Sequence, residues 1–253
     1  MTRPPRVGLF VTCLVDLARP QVGFAAVKLL EAAGCNVNVP STQTCCGQPA
    51  WNAGADVLAA DIARQVIEAF EAFDYVVAPS GSCASMIKNH FPEALAGDPR
   101  FEKRARALAA KTHELVSFLV NVRGITVAPV KCDAKVAYHD SCSSLREMGV
   151  ANEPRRLLGS IEGLSICALN DAQVCCGFGG LFAVKYPEIS ARMADDKLAD
   201  AEKAGAELVL SADLGCLLHL AGRAARSGRP LRFRHVAEVL ADMNEEPALG
   251  ETA

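Results

Sequence analysis

The stretch RVGLFVTC, residues 6–13, admits two readings, and the choice between them decides the fold. It follows a basic start, MTRPP, and is short and apolar, as the core of an export signal would be. The apolar run stops at Asp16, and no small-residue cleavage pattern follows it cleanly. A second stretch, KVAYHDSC at residues 135–142, has the same layout: a short apolar run closing on a cysteine. A signal would not recur in mid-chain. RVGLFVTC therefore reads as a buried parallel strand that delivers Cys13 at its carboxyl end.

Working outward, strands and helices alternate. QVGFAAVKLLEAAG (21–34) has helical periodicity and a closing glycine, and NVNVP (36–40) is a second short strand. ADVLAADIARQVIEAFEAF (55–73) reads as a long amphipathic helix, DYVVAPS (74–80) as a third strand, and 101–122 as one further helix. The order then restarts. AKVAYHD (134–140), LSICALN (164–170) and AELVLSAD (206–213) read as strands. EPRRLLGSI (153–161), PEISARMADDKLADAEKAG (187–205), GCLLHLAGRAARSG (215–228) and RHVAEVLADM (234–243) read as helices. Each half runs strand, Cys, helix, strand, Cys-Cys-Gly, long helix, strand, Cys, helix, which marks an internal duplication. The expected fold is α/β: two homologous half-domains, 1–125 and 126–244, each a small parallel sheet flanked by helices. A disordered tail is expected over 245–253.

Eleven cysteines in 253 residues are the compositional anomaly; 51% hydrophobic and 22% charged residues are ordinary for a globular protein. The odd count and the length argue against a secreted disulfide scaffold. A net charge of −3 makes no electrostatic case for nucleic acid, and no apolar run approaches the length of a membrane span. The expectation is a reduced, cytoplasmic protein.

Eight of the eleven cysteines form two equivalent sets: Cys13, Cys45, Cys46 and Cys83, then Cys142, Cys175, Cys176 and Cys216. Intervening segments of 31 and 36 residues in the first set match 32 and 39 in the second. Cys13, Cys83 and Cys142 fall at the carboxyl ends of expected strands, and Cys216 follows one after a short turn. That edge is where open α/β sheets bind ligands. Neighbouring strand residues point to opposite faces, so a Cys-Cys pair serving one centre needs a sharp turn, which Gly47 and Gly177 permit. Gly179 and Gly180 extend that freedom and could bring backbone amides to sulfur. A multi-iron cluster accepts neighbouring thiolates on different irons. Three other readings compete. A disulfide within each pair would be strained, since adjacent Cα atoms lie only about 3.8 Å apart. Structural zinc fits the ligand count but lacks local C-x2-C pairs. Inert core thiols leave the repeated spacing unexplained.

With TCCGQP (44–49), VCCGFGG (174–180), PSGSC, YHDSC and DLGC in view, the chain resembles the LutA/YkgE family of lactate-utilisation iron–sulfur proteins. Their duplicated CCG cysteine-rich domain also occurs in heterodisulfide reductases and in glycolate oxidase iron–sulfur subunits. The resemblance covers nearly the whole chain. It implies two iron–sulfur clusters, [4Fe–4S] in content and cubane or non-cubane in type, held by the eight cysteines. It also implies a role in electron transfer or cluster-based redox chemistry in cytoplasmic L-lactate oxidation, with a ferredoxin-like iron–sulfur subunit and a third small subunit as partners. A heterodisulfide-reductase-like thiol redox enzyme and a zinc-stabilised interaction module are the alternatives. The family motif closes on C-x-x-C, whereas here Ser80 precedes Cys83 and Asp213 precedes Cys216. Ser80 and Asp213 are therefore candidate extra ligands.

Among the remaining residues, His139 is placed to hydrogen-bond a cluster sulfur or to be a satisfied strand-end histidine. His219, one helical turn after Cys216, is similar. His90, His113 and His235 read as helix residues, Asp140 and Ser141 as caps of a helix near Cys142, and Arg146 as a solvated side chain. Cys35, Cys132 and Cys167 have no counterparts and read as core thiols. No G-x-G-x-x-G follows a strand, and neither a P-loop nor a ferredoxin-type cysteine run occurs.

Overall fold

The computed structural model describes residues 3–251. Contacts divide the chain after Gly124 into two compact units. The first holds a four-stranded parallel sheet of β1 (Arg6–Leu9), β2 (Asn36–Asn38), β3 (Tyr75–Ala78) and β4 (Thr112–Glu114), in the order β2-β1-β3-β4. The second holds β5 (Lys131–Tyr138), β6 (Glu162–Cys167), β7 (Leu208–Ser211) and β8 (Arg232–His235), in the order β6-β5-β7-β8. The duplication thus extends to strand order. Parallel strands joined by helices bury both faces, and the central strands read accordingly: Val7, Leu9, Val76, Val77, Val136, Ala137, Val209 and Leu210 are buried.

Helices Gln21–Ala32 and Asp56–Phe70 flank the first sheet with Leu30, Ile67 and Phe70 in the core; Leu198 and Leu217 serve the second from Pro187–Lys203 and Leu214–Arg226. Gly8 lets a helix end approach β1 closely, since a Cβ there would lie 2.8 Å from Phe70 and 2.7 Å from Phe73. Among the described residues, no helix is long and apolar enough to cross a membrane.

Three expectations are corrected. Segment 101–122 is not one helix: Glu102–Ala110 is followed by β4, then by helical turns over Leu115–Ser117 and Phe118–Val122. Likewise 234–243 begins in β8, and the helix starts at Val236, so His113 and His235 are strand residues. Both missed strands are rich in polar side chains, and several of these are satisfied by near neighbours in sequence. The Thr112 hydroxyl donates to the Leu108 carbonyl, Glu114 accepts from the Ser117 amide, and His235 and Glu238 form a reciprocal cap. Finally, residues 245–251 of the segment expected as a disordered tail fold back on the second sheet, and 252–253 lie outside the described residues. Leu249 pairs with Phe233, Arg234 donates to the carbonyls of Asn244 and Glu246, and Ala248 is buried.

Candidate functional site

In each unit the first and third strands are adjacent and their crossovers leave in opposite directions, which opens a crevice at their carboxyl ends. The outer cysteines of each set stand there. In the first unit Cys13 opens the helix Cys13–Ala18 after β1, and Cys83 lies in the helix Gly81–Ser85 after β3. In the second, Cys142 precedes a π-helical turn, Ser143–Glu147, after β5, and Cys216 lies in the first turn of Leu214–Arg226 after β7. The Cys-Cys pairs arrive from the loops after β2 and β6.

All eight thiols are free and linked in two chains of contacts. The Cys13 sulfur lies 4.0 Å from that of Cys45; Cys45 interacts with Cys46, and Cys46 with Cys83. Cys142 interacts with Cys175, Cys175 with Cys176, and Cys176 with Cys216 in the same order. The glycines turn the pairs: Gly47 has φ +83° and Gly177 φ +88°. Their amides donate back to the first sulfur of the pair, Gly47 to Cys45 at 3.5 Å and Gly177 to Cys175 at 3.3 Å, and the Phe178 amide donates to Cys176 at 3.5 Å. Gly179 instead accepts from the Phe182 amide at the start of Leu181–Lys185.

The family model described as a cysteine-rich domain, CCG, matches the chain twice, over residues 7–88 and 136–221. Lactate utilization protein A of Geobacillus kaustophilus is 48% identical, over 93% of this chain and 98% of that protein. The same-named protein of Geobacillus thermodenitrificans is 46% identical over 94% of this chain and 100% of its own length, and that of an Exiguobacterium strain is 45% identical over 93% and 97%. The chain belongs to the lactate utilization protein A family. A crystal structure of a hypothetical protein from Helicobacter pylori shares the fold, with a TM-score of 0.71 at 10% identity, over 100% of this chain and 53% of that one.

The donor chemistry of this family member fits a thiolate-held metal centre in each unit. Thiol hydrogen bonds from Cys13 and Cys46 hold Cys45 at about 2 despite its burial, and those from Cys142 and Cys176 hold Cys175 at about 2. Their partners move the other way. The bond to Cys45 and burial raise Cys13, and bonds to Cys45 and Cys83 with burial raise Cys46; Cys142 and Cys176 are raised by their bonds and burial in the same manner. One thiolate is thus shared among neutral thiols, and a bound cation would draw off the remaining protons. Beside Cys13 and Cys45 lies a cavity of about 400 Å³, lined also by Val11, Asp16, Val39 and Gln43.

Ser80 and Asp213 sit at matching places, the N-caps of the cysteine-bearing helices. The Ser80 hydroxyl accepts from the Cys83 amide at 3.3 Å, and Asp213 accepts from Ser141 at 3.0 Å. The Ser80 side chain thus caps its cysteine helix, whereas the Asp213 side chain makes no cap bond and ties the start of its helix to Ser141, next to Cys142. Ser141 also accepts from the Ser144 amide and caps the turn after Cys142. His219 lies 3.3 Å from the Ser190 hydroxyl, which donates to the Gly177 carbonyl, and its ring packs 6.0 Å from that of Phe178. It is thus a satisfied histidine that backs the second CCG corner through Ser190. Arg146 is exposed, as expected, and reaches the Gln173 carbonyl just ahead of Cys175.

Sequence reasoning missed two supports. Asp140, buried beside the site, is gripped by Arg155 through paired bonds of 2.8 and 2.6 Å. Asp200 accepts from the amides of Asn170 and Asp171 at 3.1 and 2.9 Å, while Lys197 donates to the carbonyls of Asp171 and Ala172. An acid–base pair three residues apart on a helix reads as a solvated surface, and only folding shows the loop it holds.

Proposed function

We propose that this chain is an iron–sulfur subunit of a system that oxidises L-lactate, with one centre in each unit. The observation that carries this reading is the convergence of four thiols, in the same order, at the same strand crevice in both units. The substrate class comes from the relatives' name, lactate utilization protein A, shared by chains of nearly the same length. A bound iron–sulfur cluster would supply one-electron transfer. The chain's own part is to hold it. Cys13, Cys45, Cys46 and Cys83 provide the first thiolate set, and Cys142, Cys175, Cys176 and Cys216 the second. The Gly47, Gly177 and Phe178 amides donate to sulfur and offset its negative charge. Cys46 and Cys176, at 3% and 1% exposure, keep one side of each set dry.

Oxidation of a 2-hydroxy acid to a 2-oxo acid releases two electrons and two protons, so the reaction calls for partners. A ferredoxin-like iron–sulfur subunit and a third small subunit fit that requirement, in a cytoplasm that keeps eleven thiols reduced. Anaerobic purification tests the centres: iron and acid-labile sulfide in equal amounts support them, and stoichiometric zinc without sulfide overturns them. Deleting the gene tests the substrate. Growth on lactate should fail while growth on pyruvate persists, and normal growth on lactate removes the lactate assignment.

A further inference from the structure

The duplication is broken at a buried position beside the cysteines. Phe10 and His139 are structural equivalents: each follows the first strand of its sheet, three residues before a ligand cysteine. The Phe10 amide donates to Val77 and the His139 amide to Leu210, both at 2.8 Å, on equivalent third strands. Both side chains are buried, at 0% and 1% exposure. Phe10 packs its ring 5.5 Å from Phe70, as an apolar residue should. His139 is buried in the same way, yet among the described residues neither ring nitrogen has a hydrogen-bond partner. Buried polar groups are almost always paired, because the lost hydration is otherwise uncompensated. An orphaned imidazole therefore points to something it binds.

What it faces is sulfur. A ring nitrogen of His139 and the sulfurs of Cys176 and Cys216 all lie within 4.8 Å of one another. The three donors come from the ends of β5, the loop after β6 and the start of the helix after β7, so they close on the crevice from three sides. A neutral imidazole offers a nitrogen lone pair to a metal. Imidazole and thiolate together suit iron and zinc. The first unit has Phe10 at this place and no nitrogen to offer.

We propose that His139 is a nitrogen ligand of the metal centre in the second unit, which makes that centre a mixed sulfur–nitrogen site beside an all-sulfur centre in the first. This rests on the reading of two metal centres given above. The imidazole adds a neutral donor at a place where the first unit offers only Phe10, so the two centres differ in coordination and therefore in reduction potential. The two halves of a duplicated chain then hold unequal sites.

The test uses the full chain carrying ¹⁵N-histidine, loaded anaerobically with iron and sulfide, assayed for both, reduced, and read by pulsed EPR. The expected result is the large hyperfine coupling of a directly bound ¹⁵N, lost in His139→Phe, which copies the residue the first unit already tolerates. A redox titration should resolve two potentials in the parent chain and shift only one of them in the variant. Only weak, remote nitrogen couplings, couplings unchanged in His139→Phe, or one shared potential would overturn the assignment. If His139→Phe does not fold, the size of the coupling in the parent chain still decides. If the chain takes up metal without sulfide, the cluster reading fails separately. Cobalt(II) then serves as the probe, and a bound histidine ¹⁵N in its spectrum sustains His139 as a ligand, while its absence removes it.

Discussion

Gly177 adopts φ +88°, and a Cβ there would lie 2.5 Å from the Ser190 carbonyl oxygen and 2.9 Å from Met193. Neither obstacle is a flexible side-chain end. Gly177→Ala should therefore cost about 3 kcal/mol, from left-handed strain plus overpacking, and strip the second centre; urea unfolding and iron content check both. Gly47 shares the φ but meets only the Ile62 side chain at 3.2 Å, so Gly47→Ala should cost about 1 kcal/mol and keep most of its iron. The glycines are equal in sequence and unequal in tolerance, because different helices back them. Among the thiols, Cys35 is buried, raised by desolvation, and outside both sets. Cys35→Ala should leave iron and sulfide content unchanged, and loss of half the iron would show that the sets are wrongly drawn.

The helix Pro187–Lys203 acts as a clamp on the loop that leads into Cys175. Burial raises the Asp200 carboxyl, but the Asp171 and Asn170 amides and then Lys197 outweigh it and leave the carboxyl below its ordinary value. A depressed carboxyl contributes stability that is present above the unfolded value and lost as pH falls through the folded one. The loop should therefore loosen below about pH 4. Asp200→Asn should lower stability at neutral pH by about 1–3 kcal/mol and flatten the acid limb of the stability profile; urea midpoints across that window measure it. A slope identical to that of the parent chain would assign the acid loss to other carboxylates. On the opposite side of the site, the helix Asn152–Leu158 supplies Arg155 to Asp140, which is only 4% exposed. Arg155→Leu leaves that carboxylate buried and unpaired, and should cost about 3 kcal/mol, with a fall of the melting temperature as the readout.

At the scale of the molecule, two units with the same strand order carry the same ligand sequence, and each has its own core. The centres should load independently. Cys46→Ser should remove the first and Cys176→Ser the second, each leaving about half the iron and one intact spectroscopic signature; loss of all iron from either variant would show a single shared centre instead. The isolated, fully loaded chain should show little lactate:NAD activity, with turnover appearing when partner subunits are added.

How much of this was legible follows from where each signal resides. The apolar runs of β1, β3, β5 and β7, the repeated cysteine spacing and the CCG corners are local patterns, and the sequence by itself determined the α/β class, the duplication and the eight cysteines. The strands β4 and β8 escaped, because Thr112, His113 and Glu114, like Arg232, Arg234 and His235, carry no apolar alternation. Near neighbours pair Thr112, Glu114 and His235, while Arg234 reaches carbonyls that only the folded chain brings to it. Strand order was likewise invisible, since short parallel strands do not encode which neighbour they pair with, and that order is what brings Cys13 to Cys83 and Cys142 to Cys216. His139 shows the division at one residue. The sequence offered it as a hydrogen-bond donor or a satisfied histidine. Only the tertiary structure left both its nitrogens unpaired beside two thiols, because burial removes the water that would otherwise have satisfied them.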